Sequence, residues 1–456
     1  MELSGKTVLV MGLARSGISA ARLLYRKGAR VIVHDSKNET DLSAATEELK
    51  KSIECEFHLG QDPGILLNRA DMIVLSPGVP ADLPFLIRAS ESGIEVISEV
   101  ELAYRYCKAP IIAVTGTNGK TTTTALIGEI LKAAGKVTHV VGNIGLPFSE
   151  KVDEIEPGDM VAAEISSFQL ETTAVFRPEI ALILNISPDH LDRHKTMENY
   201  IAAKYRVFGN QVRGDILILN GDDPILSRID PPGGVHTFYF SRSRALSEGV
   251  WVEDGYIRMN LGGGIKTVCR ADQLGIPGTH NLENALAAAA AAGLAGAAPE
   301  IIADTLRTFP GVEHRIEKVA VIKGITFYND SKGTNPDSSI KAIEAMPGAT
   351  VLIAGGMDKK GGFSEFTAAF GSKVKALVLL GETADKIAET ARKQGFTNIH
   401  MTKSIPEAVE KAYALSSQGY SVLLSPACAS WDMFRDYEER GNVFKEAVRA
   451  LEKSIE

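Results

Sequence analysis

The sequence predicts an α/β protein of three domains, with a Rossmann-like N-terminal domain, a central sheet of P-loop type and a Rossmann-like C-terminal domain. A chain of 456 residues is too long for a single core. Short apolar runs alternate with segments of helical periodicity, which is typical of βα units around a parallel sheet. This pattern restarts near Ile111 and again near Glu313. We place the domains at 1–98, 99–311 and 312–456.

Composition argues against several classes of function. Apolar residues make up 45% of the chain and charged residues 23%, which is ordinary for a globular protein. The net charge of −8 argues against nucleic acid or an anionic membrane as the main partner. The four cysteines are scattered without a C-x-x-C pair, so we expect buried thiols rather than disulfides or a zinc site. Because the N-terminus enters a strand directly and no apolar run reaches membrane-spanning length, we expect a cytoplasmic protein.

The first domain opens as a βαβ unit, and its strands are predicted at 6–12, within ARVIVHDSK with its end at Asp35, within ADMIVLSPGVP and near 94–99. The string G-x-A-x-x-G at 12–17 is close to the dinucleotide fingerprint. Ala14 replaces the glycine that lets a backbone approach a pyrophosphate, which disfavours NAD or FAD. Asp35 ends the second strand where an acid would meet a ribose hydroxyl. Ser76-Pro77-Gly78 follows a strand, at the edge where open α/β sheets bind ligands.

The second domain begins with the string IIAVTGTNGKTTTT at 111–124, a strand, a glycine turn and the start of a helix. Backbone N–H groups of such a turn, together with the positive end of the helix dipole, suit a phosphate chain. Lys120 would reach the outer phosphates, and Thr121 would offer its hydroxyl to Mg²⁺. The loop, G-x-x-G-K-T from Gly116, is shorter than the usual P-loop because position 114 is valine. The alternative is a glycine-rich turn with an incidental lysine.

The remaining elements of this domain are short buried strands followed by polar clusters. Strands are predicted at 111–115, about 137–141, 159–164, 180–185 and 215–219, with less regular strands in 236–270 and helices at 281–296 and 299–308. The clusters are GNIG at 142–145, EISSFQ at 164–169, and Asn185 leading into DHLDRH at 189–194. Because parallel strands deliver their carboxyl ends to one edge, we expect these clusters to gather around the phosphate loop.

The third domain repeats the α/β pattern. A hairpin is predicted through Lys323-Gly324, followed by the polar loop NDSKGTNP and a helix to Ala345. Further strands are predicted at 350–354, 375–380 and 421–425, with helices at about 382–395, 404–417 and 438–452.

Several polar residues allow a structural or a functional interpretation. Glu164 is either a helix N-cap or solvated residue, or a magnesium ligand beside bound phosphates. The DHLDRH string is either polar packing or part of a metal site. Lys204 has the pattern of a surface lysine on an amphipathic helix. The DSKGTN string at 330–335 could cap the next helix or hold an anion. Arg315 lies at a domain junction, from which it could reach a phosphate.

Taken together, these strings resemble the Mur ligase family, ATP-dependent amide-forming enzymes of peptidoglycan precursor synthesis. The matching strings, in order along the whole chain, are TGTNGKT at 115–121, GNIG at 142–145, EISSFQLE at 164–171, NISPDHLDRH at 185–194, HNLENALAA at 280–288, GVEHR at 311–315, NDSKGTNP at 329–336 and SPACASWDMF at 425–434. The SSFQLE and SPACASWD strings favour the member that adds D-glutamate to UDP-N-acetylmuramoyl-L-alanine. The resemblance implies a bacterial, cytoplasmic monomer.

The resemblance implies a role for each matched residue at the nucleotide. The residues implied to hold ATP are Gly116, Thr117, Asn118, Gly119, Lys120, Thr121, Thr122, Asn281, Arg315 and Asp330. Two Mg²⁺ ions are implied, with Thr121, Glu164, His190 and Lys204 as ligands, the lysine as N6-carboxylysine formed with CO₂. Lys120, Glu164, His190 and Lys204 are the implied catalytic residues.

The resemblance likewise implies two substrate sites. The UDP-substrate site comprises Arg15, Ser16, Ser36, Lys37, Ser76, Gly78, Asn143 and Ser166. The D-glutamate site comprises Lys332, Thr334, Lys359, Ser430, Trp431 and Tyr437, and the choice between Lys359 and Lys360 stays open. The implied reaction is phosphorylation of the alanyl carboxylate by ATP, followed by attack of the D-glutamate amine. Alternatives are another Mur ligase or a folate-adding enzyme, a nucleotide-binding protein without ligase activity, and an NAD oxidoreductase.

Overall fold

The computed structural model describes residues 1–143, 145–231, 233–276, 278–358 and 362–455. It contains three sheets in the predicted order, which confirms the α/β fold class. The chain forms two compact units, one of Met1–Gln273 with Glu283–Leu306 and one of Leu274–Leu282 with Arg307–Glu456. The first two sheets therefore share one unit. The exact domain boundaries stay predictions.

The first sheet is fully parallel, with the strand order β3-β2-β1-β4-β5. Its strands are β1 (Thr7–Met11), β2 (Arg30–Asp35), β3 (Glu56–Leu59), β4 (Met72–Leu75) and β5 (Glu95–Ser98). Its helices are α1 (Arg15–Arg26), α2 (Ser43–Lys50), α3 (Pro84–Glu91) and α4 (Glu99–Tyr104). The order reverses beside β1, so the loops after β1 and β4 flank the crevice where such sheets bind ligands.

The second sheet has nine strands in the order β14-β13-β12-β11-β10-β9-β6-β8-β7. They are β6 (Ile111–Thr115), β7 (Thr138–Gly142), β8 (Met160–Glu164), β9 (Ile180–Ile183), β10 (Ile216–Asn220), β11 (His236–Ser241), β12 (Gly249–Glu253), β13 (Tyr256–Asn260) and β14 (Lys266–Arg270). The helices are α5 (Lys120–Ala133), α6 (Phe148–Lys151), α7 (Ser167–Leu170), α8 (Leu191–His194), α9 (Met197–Tyr205), α10 (Thr279–Leu294) and α11 (Pro299–Thr308). Strands β6 to β12 are parallel, whereas β13 and β14 pair antiparallel at one end.

Ion pairs and a buried carboxylate join the first and second sheets. Arg26 and Lys27, at the end of α1, both contact Asp153. Glu99 is buried, and its carboxylate accepts the backbone N–H of Ser149 at 2.6 Å. These contacts fix the crevice of the first sheet relative to the phosphate loop of the second.

The third sheet has the order β15-β16-β20-β17-β18-β19. Its strands are β15 (Glu317–Ile322), β16 (Ile325–Asn329), β17 (Thr350–Ala354), β18 (Val374–Leu379), β19 (Ile399–Met401) and β20 (Ser421–Leu424). Its helices are α12 (Pro336–Ala345), α13 (Ser364–Ala368), α14 (Ala384–Lys393), α15 (Ile405–Ala414) and α16 (Tyr437–Ile455). The antiparallel pair β15/β16 is the predicted hairpin, and the other neighbours are parallel.

Within the described residues the four cysteines form no disulfide, and of the predicted buried thiols only Cys269 and Cys428 are buried, whereas Cys55 and Cys107 are half-buried. Across the described ranges, no helix combines the length and the apolar character needed to cross a bilayer.

Candidate active site

The loop between β6 and α5 requires glycine at two positions. Gly116 has φ 148° and Gly119 has φ 85°, both in the region that L side chains rarely adopt. A Cβ at Gly119 would lie 2.1 Å from the Asn284 Oδ1 atom. With these two glycines the chain turns directly into α5, whose first turn offers backbone N–H groups and a positive dipole end. This geometry is that of a phosphate-binding loop.

The end of β9 holds the loop in place, as the strand-edge argument predicted. The Asn118 N–H donates to Asn185 Oδ1 at 2.8 Å, and the Asn185 amide donates back to the Asn118 carbonyl at 3.1 Å. The Thr117 hydroxyl lies 3.1 Å from the Tyr200 hydroxyl, and the Ser187 N–H donates to Thr117 Oγ1. The loop is therefore preorganised by the side chains of Asn185 and Tyr200 and by the backbone of Ser187.

Two lysines converge on the carbonyl of Gly116. Lys120 Nζ donates to it at 2.9 Å and to the Thr117 carbonyl at 2.7 Å, while Lys204 Nζ donates to it at 2.8 Å. Lys204 is only 1% exposed, so the interpretation as a surface lysine is wrong. Burial, and secondarily the charge of Lys120, lower the pKa of Lys204 well below its ordinary value. Lys204 is thus a buried amine beside the phosphate loop.

Glu164 ends β8 as a buried carboxylate with an exposed fraction of 1%. Its Oε1 accepts the Asn143 amide at 2.8 Å, so the GNIG and EISSFQ clusters meet as expected. Ser166, two residues later, caps α7, because its hydroxyl accepts from the Gln169 N–H while the Gln169 side chain accepts from the Ser166 N–H. The interpretation of Glu164 as the N-cap is therefore wrong, and Ser166 has a structural role that the sequence analysis missed.

The two histidines of DHLDRH have different environments. His190 has a left-handed backbone, φ 52°, and its side chain is 41% exposed with its ring against Phe168. His194 is buried, and its Nε2 lies 3.0 Å from the Ser167 hydroxyl. Burial, reinforced by nearby Arg193, lowers the pKa of His194 to about 4. The polar-packing interpretation is therefore right for His194, whereas the role of His190 at a metal stays a prediction.

Metal binding at this edge would depend on the nucleotide. Among the residues that the structure describes, no three His, Cys, Asp or Glu side chains lie close enough to hold a metal ion. Mg²⁺ commonly takes one or two carboxylates and completes its shell with phosphate oxygens and water. Buried Glu164 and the hydroxyl of Thr121 in the first turn of α5 are ligands of the type that such a site needs. The donor set fits magnesium bound together with a phosphate chain.

Arg193, to which the sequence analysis assigned no role, links the first two sheets. Its guanidinium donates to the carbonyls of Pro77 at 2.6 Å and Val79 at 3.0 Å, in the loop after β4. It also pairs with Glu171 at 2.6 Å and lies 4.3 Å from the centre of the Phe168 ring. The loop after β4 is thereby tied to the segment that carries His190. An arginine in a short helix carries no signal of such a bridge in the sequence.

The crevice of the first sheet is built by Gly12 and Ser76. A Cβ at Gly12 would lie 2.9 Å from the Ser76 Cβ, and the Ser76 hydroxyl donates to the Gly12 carbonyl at 2.8 Å. The carboxylate of Asp35 accepts the backbone N–H groups of Leu13 at 2.8 Å and Lys37 at 3.0 Å, so it braces both loops. Of the residues predicted to bind the UDP substrate here, Ser76 is buried. The others are half-buried or exposed, namely Arg15, Ser16, Ser36, Lys37 and Gly78.

In the second unit, Asp330 is a buried acid at the carboxyl end of β16. The Ser425 hydroxyl donates to its Oδ2 at 2.7 Å, and the Ile316 N–H lies 3.3 Å from its Oδ1. Burial raises the pKa of Asp330 to about 6, opposed chiefly by the charge of Arg315. Asn335 caps α12 through the Ser338 N–H, so within the DSKGTN string the capping interpretation is right for Asn335 alone.

The remaining predicted residues of this unit have varied environments. Lys332 Nζ lies 5.3 Å from the centre of the Tyr437 ring. Ser430 is buried, whereas the adjacent Trp431 is 66% exposed. Asn281 is buried in the first turn of α10. Thr334 is half-buried, and Lys359 and Lys360 lie outside the described residues.

Three protein-family models match consecutive parts of the chain. They are the Mur ligase MurD-like N-terminal domain at residues 6–98, the Mur ligase middle domain at 114–292 and the Mur ligase glutamate ligase domain at 314–428. The three ranges cover most of the chain and include the phosphate loop, Glu164, His190 and Lys204.

Curated relatives match over the full length. A UDP-N-acetylmuramoylalanine–D-glutamate ligase of Thermoanaerobacter pseudethanolicus is 51% identical over 455 residues, covering 99% of this chain and 100% of the relative. The enzyme of the same name from Clostridioides difficile is 46% identical over 452 residues, covering 99% and 100%.

Solved structures share the fold at low identity. The UDP-N-acetylmuramate–alanine ligase MurC of Thermotoga maritima has a TM-score of 0.62 at 18% identity, covering 98% of this chain and 100% of its own. The MurF ligase of the same organism, solved with ADP, has a TM-score of 0.59 at 15% identity and covers 92% and 96%.

Proposed function

The chain belongs to the Mur ligase family, and we propose that it is the member that joins D-glutamate to UDP-N-acetylmuramoyl-L-alanine with consumption of ATP. The observation that carries this assignment is about half identity over the full length with relatives bearing that enzyme name. The described site supplies the parts that the reaction needs, namely a phosphate loop, a buried carboxylate and a buried amine beside it. The product belongs to peptidoglycan precursor synthesis.

The reaction has two stages. An oxygen of the alanyl carboxylate attacks the γ-phosphorus of ATP, the bond to ADP breaks, and an acyl-phosphate forms. The amine of D-glutamate then attacks the acyl carbon, and phosphate leaves as the amide forms and the amine loses a proton. Phosphoryl transfer of this kind depends mainly on positioning and on stabilisation of the developing charge. Lys120, which donates to loop carbonyls in this structure, is the cation placed to turn onto the phosphates.

Magnesium would be held by Thr121, Glu164 and His190, and it supplies charge neutralisation at the phosphate oxygens when bound. Two Mg²⁺ ions would be bound. The lowered pKa of Lys204 favours the neutral amine, which is the form that combines with CO₂. The resulting carbamate would convert a buried cation, which cannot ligate a metal, into an anion that can.

The substrates divide among the three sheets. The UDP portion would be bound by Arg15, Ser16, Ser36, Lys37, Ser76 and Gly78 of the first domain. Asn143 and Ser166 of the central domain would complete this site. Asn281, Arg315 and Asp330 would contribute to ATP binding, and Lys332, Thr334, Lys359, Ser430, Trp431 and Tyr437 to D-glutamate binding. We also propose that the enzyme acts as a monomer in the bacterial cytoplasm. Its partners are then small molecules, without nucleic acid or membrane.

The test is phosphate release with UDP-N-acetylmuramoyl-L-alanine, ATP and Mg²⁺, with D-glutamate or a panel of other amino acids. Release that requires D-glutamate and is lost in Lys120→Ala supports the proposal. Release with L-alanine or a diamino acid in its place would assign the chain to another reaction of the family. Nucleotide binding without release under any combination would favour a binding protein.

A further inference from the structure

Arg440, on the first turns of α16, is a buried cation that the proposed reaction does not yet use. Its side chain is 2% exposed, and all three guanidinium nitrogens donate hydrogen bonds. Nε donates to the Ser331 hydroxyl at 3.0 Å and Nη2 to the Ser331 carbonyl at 2.8 Å. Nη1 donates to the carbonyls of Cys428 and Ala429, each at 3.2 Å.

The two segments that Arg440 joins are those with the proposed amino-acid ligands. Ser331 lies between Asp330 and Lys332, in the loop that follows β16. Cys428 and Ala429 directly precede Ser430, in the loop that follows β20. Because β16 and β20 are parallel neighbours, both loops leave the same edge of the sheet. Arg440 is therefore a bridge between their backbones.

The chain has a strained backbone and close packing around this bridge. Ala427, which precedes the bridged carbonyls, has φ 57°, a left-handed conformation that costs free energy in a non-glycine residue. A Cβ at Gly356 would lie 2.3 Å from the Ala429 carbonyl oxygen and 3.2 Å from Arg440 Nη1. The second loop thus has one tightly constrained path past the guanidinium.

The bonding of Arg440 is unlike that of an ordinary buried ion pair. Within the described ranges, no carboxylate oxygen lies within 4.0 Å of its guanidinium, and its donors go to carbonyls and one hydroxyl. A buried charge without a counter-ion is costly, and an apolar residue of similar volume would serve packing alone. Burial lowers the pKa of Arg440 to about 10, so the group is still a cation at neutral pH. The planar fork meets acceptors in three directions, which lysine cannot do.

We propose that Arg440 is a positioning residue for the acceptor amino acid, holding the loop of Ser430 at a fixed distance from the loop of Lys332. The carboxylates of a bound amino acid would then meet a preformed set of donors rather than two independent loops. This inference rests on the proposed function, because it takes D-glutamate as the substrate of these loops.

The test is Arg440→Lys in the full-length enzyme, with kinetics for each substrate. Loss of two or three charged hydrogen bonds to the loops predicts a KM for D-glutamate raised on the order of 10- to 100-fold. We expect the KM for ATP to change less than about twofold, since Asp330, the residue of this loop that is proposed to act at the nucleotide, is held by Ser425 and Ile316 rather than by Arg440. Acyl-phosphate formation without D-glutamate, trapped with hydroxylamine, is expected to stay at the wild-type level.

The matched control is Phe444→Leu, one turn along the same helix. Phe444 is fully buried in the apolar cluster beneath α16, so its truncation lowers stability without breaking the bridge. Equal increases in the KM for D-glutamate in both variants, at matched loss of Tm, would overturn the positioning role. If Arg440→Lys does not fold, Ser331→Ala removes one acceptor of the bridge, and an unchanged KM for D-glutamate there would overturn it as well. Wild-type enzyme that ignores D-glutamate would instead refute the proposed function.

Discussion

Relative to wild type, the free energy of unfolding of the Asp330→Asn variant should increase as pH rises from about 4 to 7. The wild-type carboxyl is buried, and its pKa is raised from 3.8 to about 6. A difference of about two pKa units corresponds to about 3 kcal/mol between the protonated and ionised forms. The folded state therefore holds this proton more tightly than the unfolded state does.

The sign follows from proton linkage. Between about pH 4 and pH 6 the folded state binds more protons at this site, so the free energy of unfolding falls as pH rises. Asparagine does not titrate, so the variant lacks this loss of about 3 kcal/mol. The variant does lose one of the two hydrogen bonds that Asp330 accepts from Ser425 and Ile316, which costs about 1 kcal/mol at every pH. The free energy of unfolding of the variant should thus be about 1 kcal/mol below that of wild type at pH 4 and about 2 kcal/mol above it at pH 7.

The assay is calorimetric and urea unfolding of both proteins at half-unit steps of pH, taking the difference at each step so that other titrating groups cancel. A difference in unfolding free energy that stays flat from pH 4 to 7 would refute the argument that burial raises the pKa of Asp330. A difference of opposite slope would mean that the charge of Arg315 outweighs burial. Activity of the variant is expected to be lost, because Asp330 is proposed to act at the nucleotide.

Three further perturbations test the first unit. Gly119→Ala should raise the KM for ATP at least about tenfold, because a left-handed backbone costs an L residue about 1–2 kcal/mol and the new Cβ displaces Asn284. Gly135→Ala is the matched control, with φ 79° and open space around the Cβ, and an equal effect of both would contradict the role of the loop. Arg193→Lys should raise the KM for the UDP substrate but not for ATP in initial-rate assays, since it loosens the bond to the loop after β4; equal changes in both would contradict this. Removing CO₂ from the buffer should lower activity reversibly, with recovery on adding bicarbonate, and activity indifferent to CO₂ would contradict carbamylation of Lys204.

The sequence predicted the buried strands well because each is a continuous apolar run. It missed β3 and β19, which are three or four residues long and half-exposed. Both lie at sheet edges and contain no fully buried residue, so neither has the continuous apolar run of a central strand. The gathering of Asn143, Glu164 and Asn185 beside the loop was predictable because parallel strands end at a common edge.

Burial of charged side chains was the part that local pattern could not predict. The helix that carries Lys204 has little amphipathic character, contrary to the prediction, and only the family resemblance indicated the importance of this lysine. Arg193 and Arg440 are arginines in helices, which are usually exposed, and most of the acceptors that they join are backbone carbonyls distant in sequence. A carbonyl acceptor carries no side-chain signature, so such a bridge becomes visible only in the folded chain.

The central claim is tested most directly by the mass of the nucleotide product. Purified enzyme with UDP-N-acetylmuramoyl-L-alanine, ATP, Mg²⁺ and an equal mixture of D-glutamate, L-glutamate and other amino acids would be separated by chromatography and weighed by mass spectrometry. The account predicts one new UDP-linked product, heavier by a single glutamyl residue, which disappears when D-glutamate is omitted. A product carrying a different amino acid, or formation of ADP with no new UDP-linked species, would contradict it.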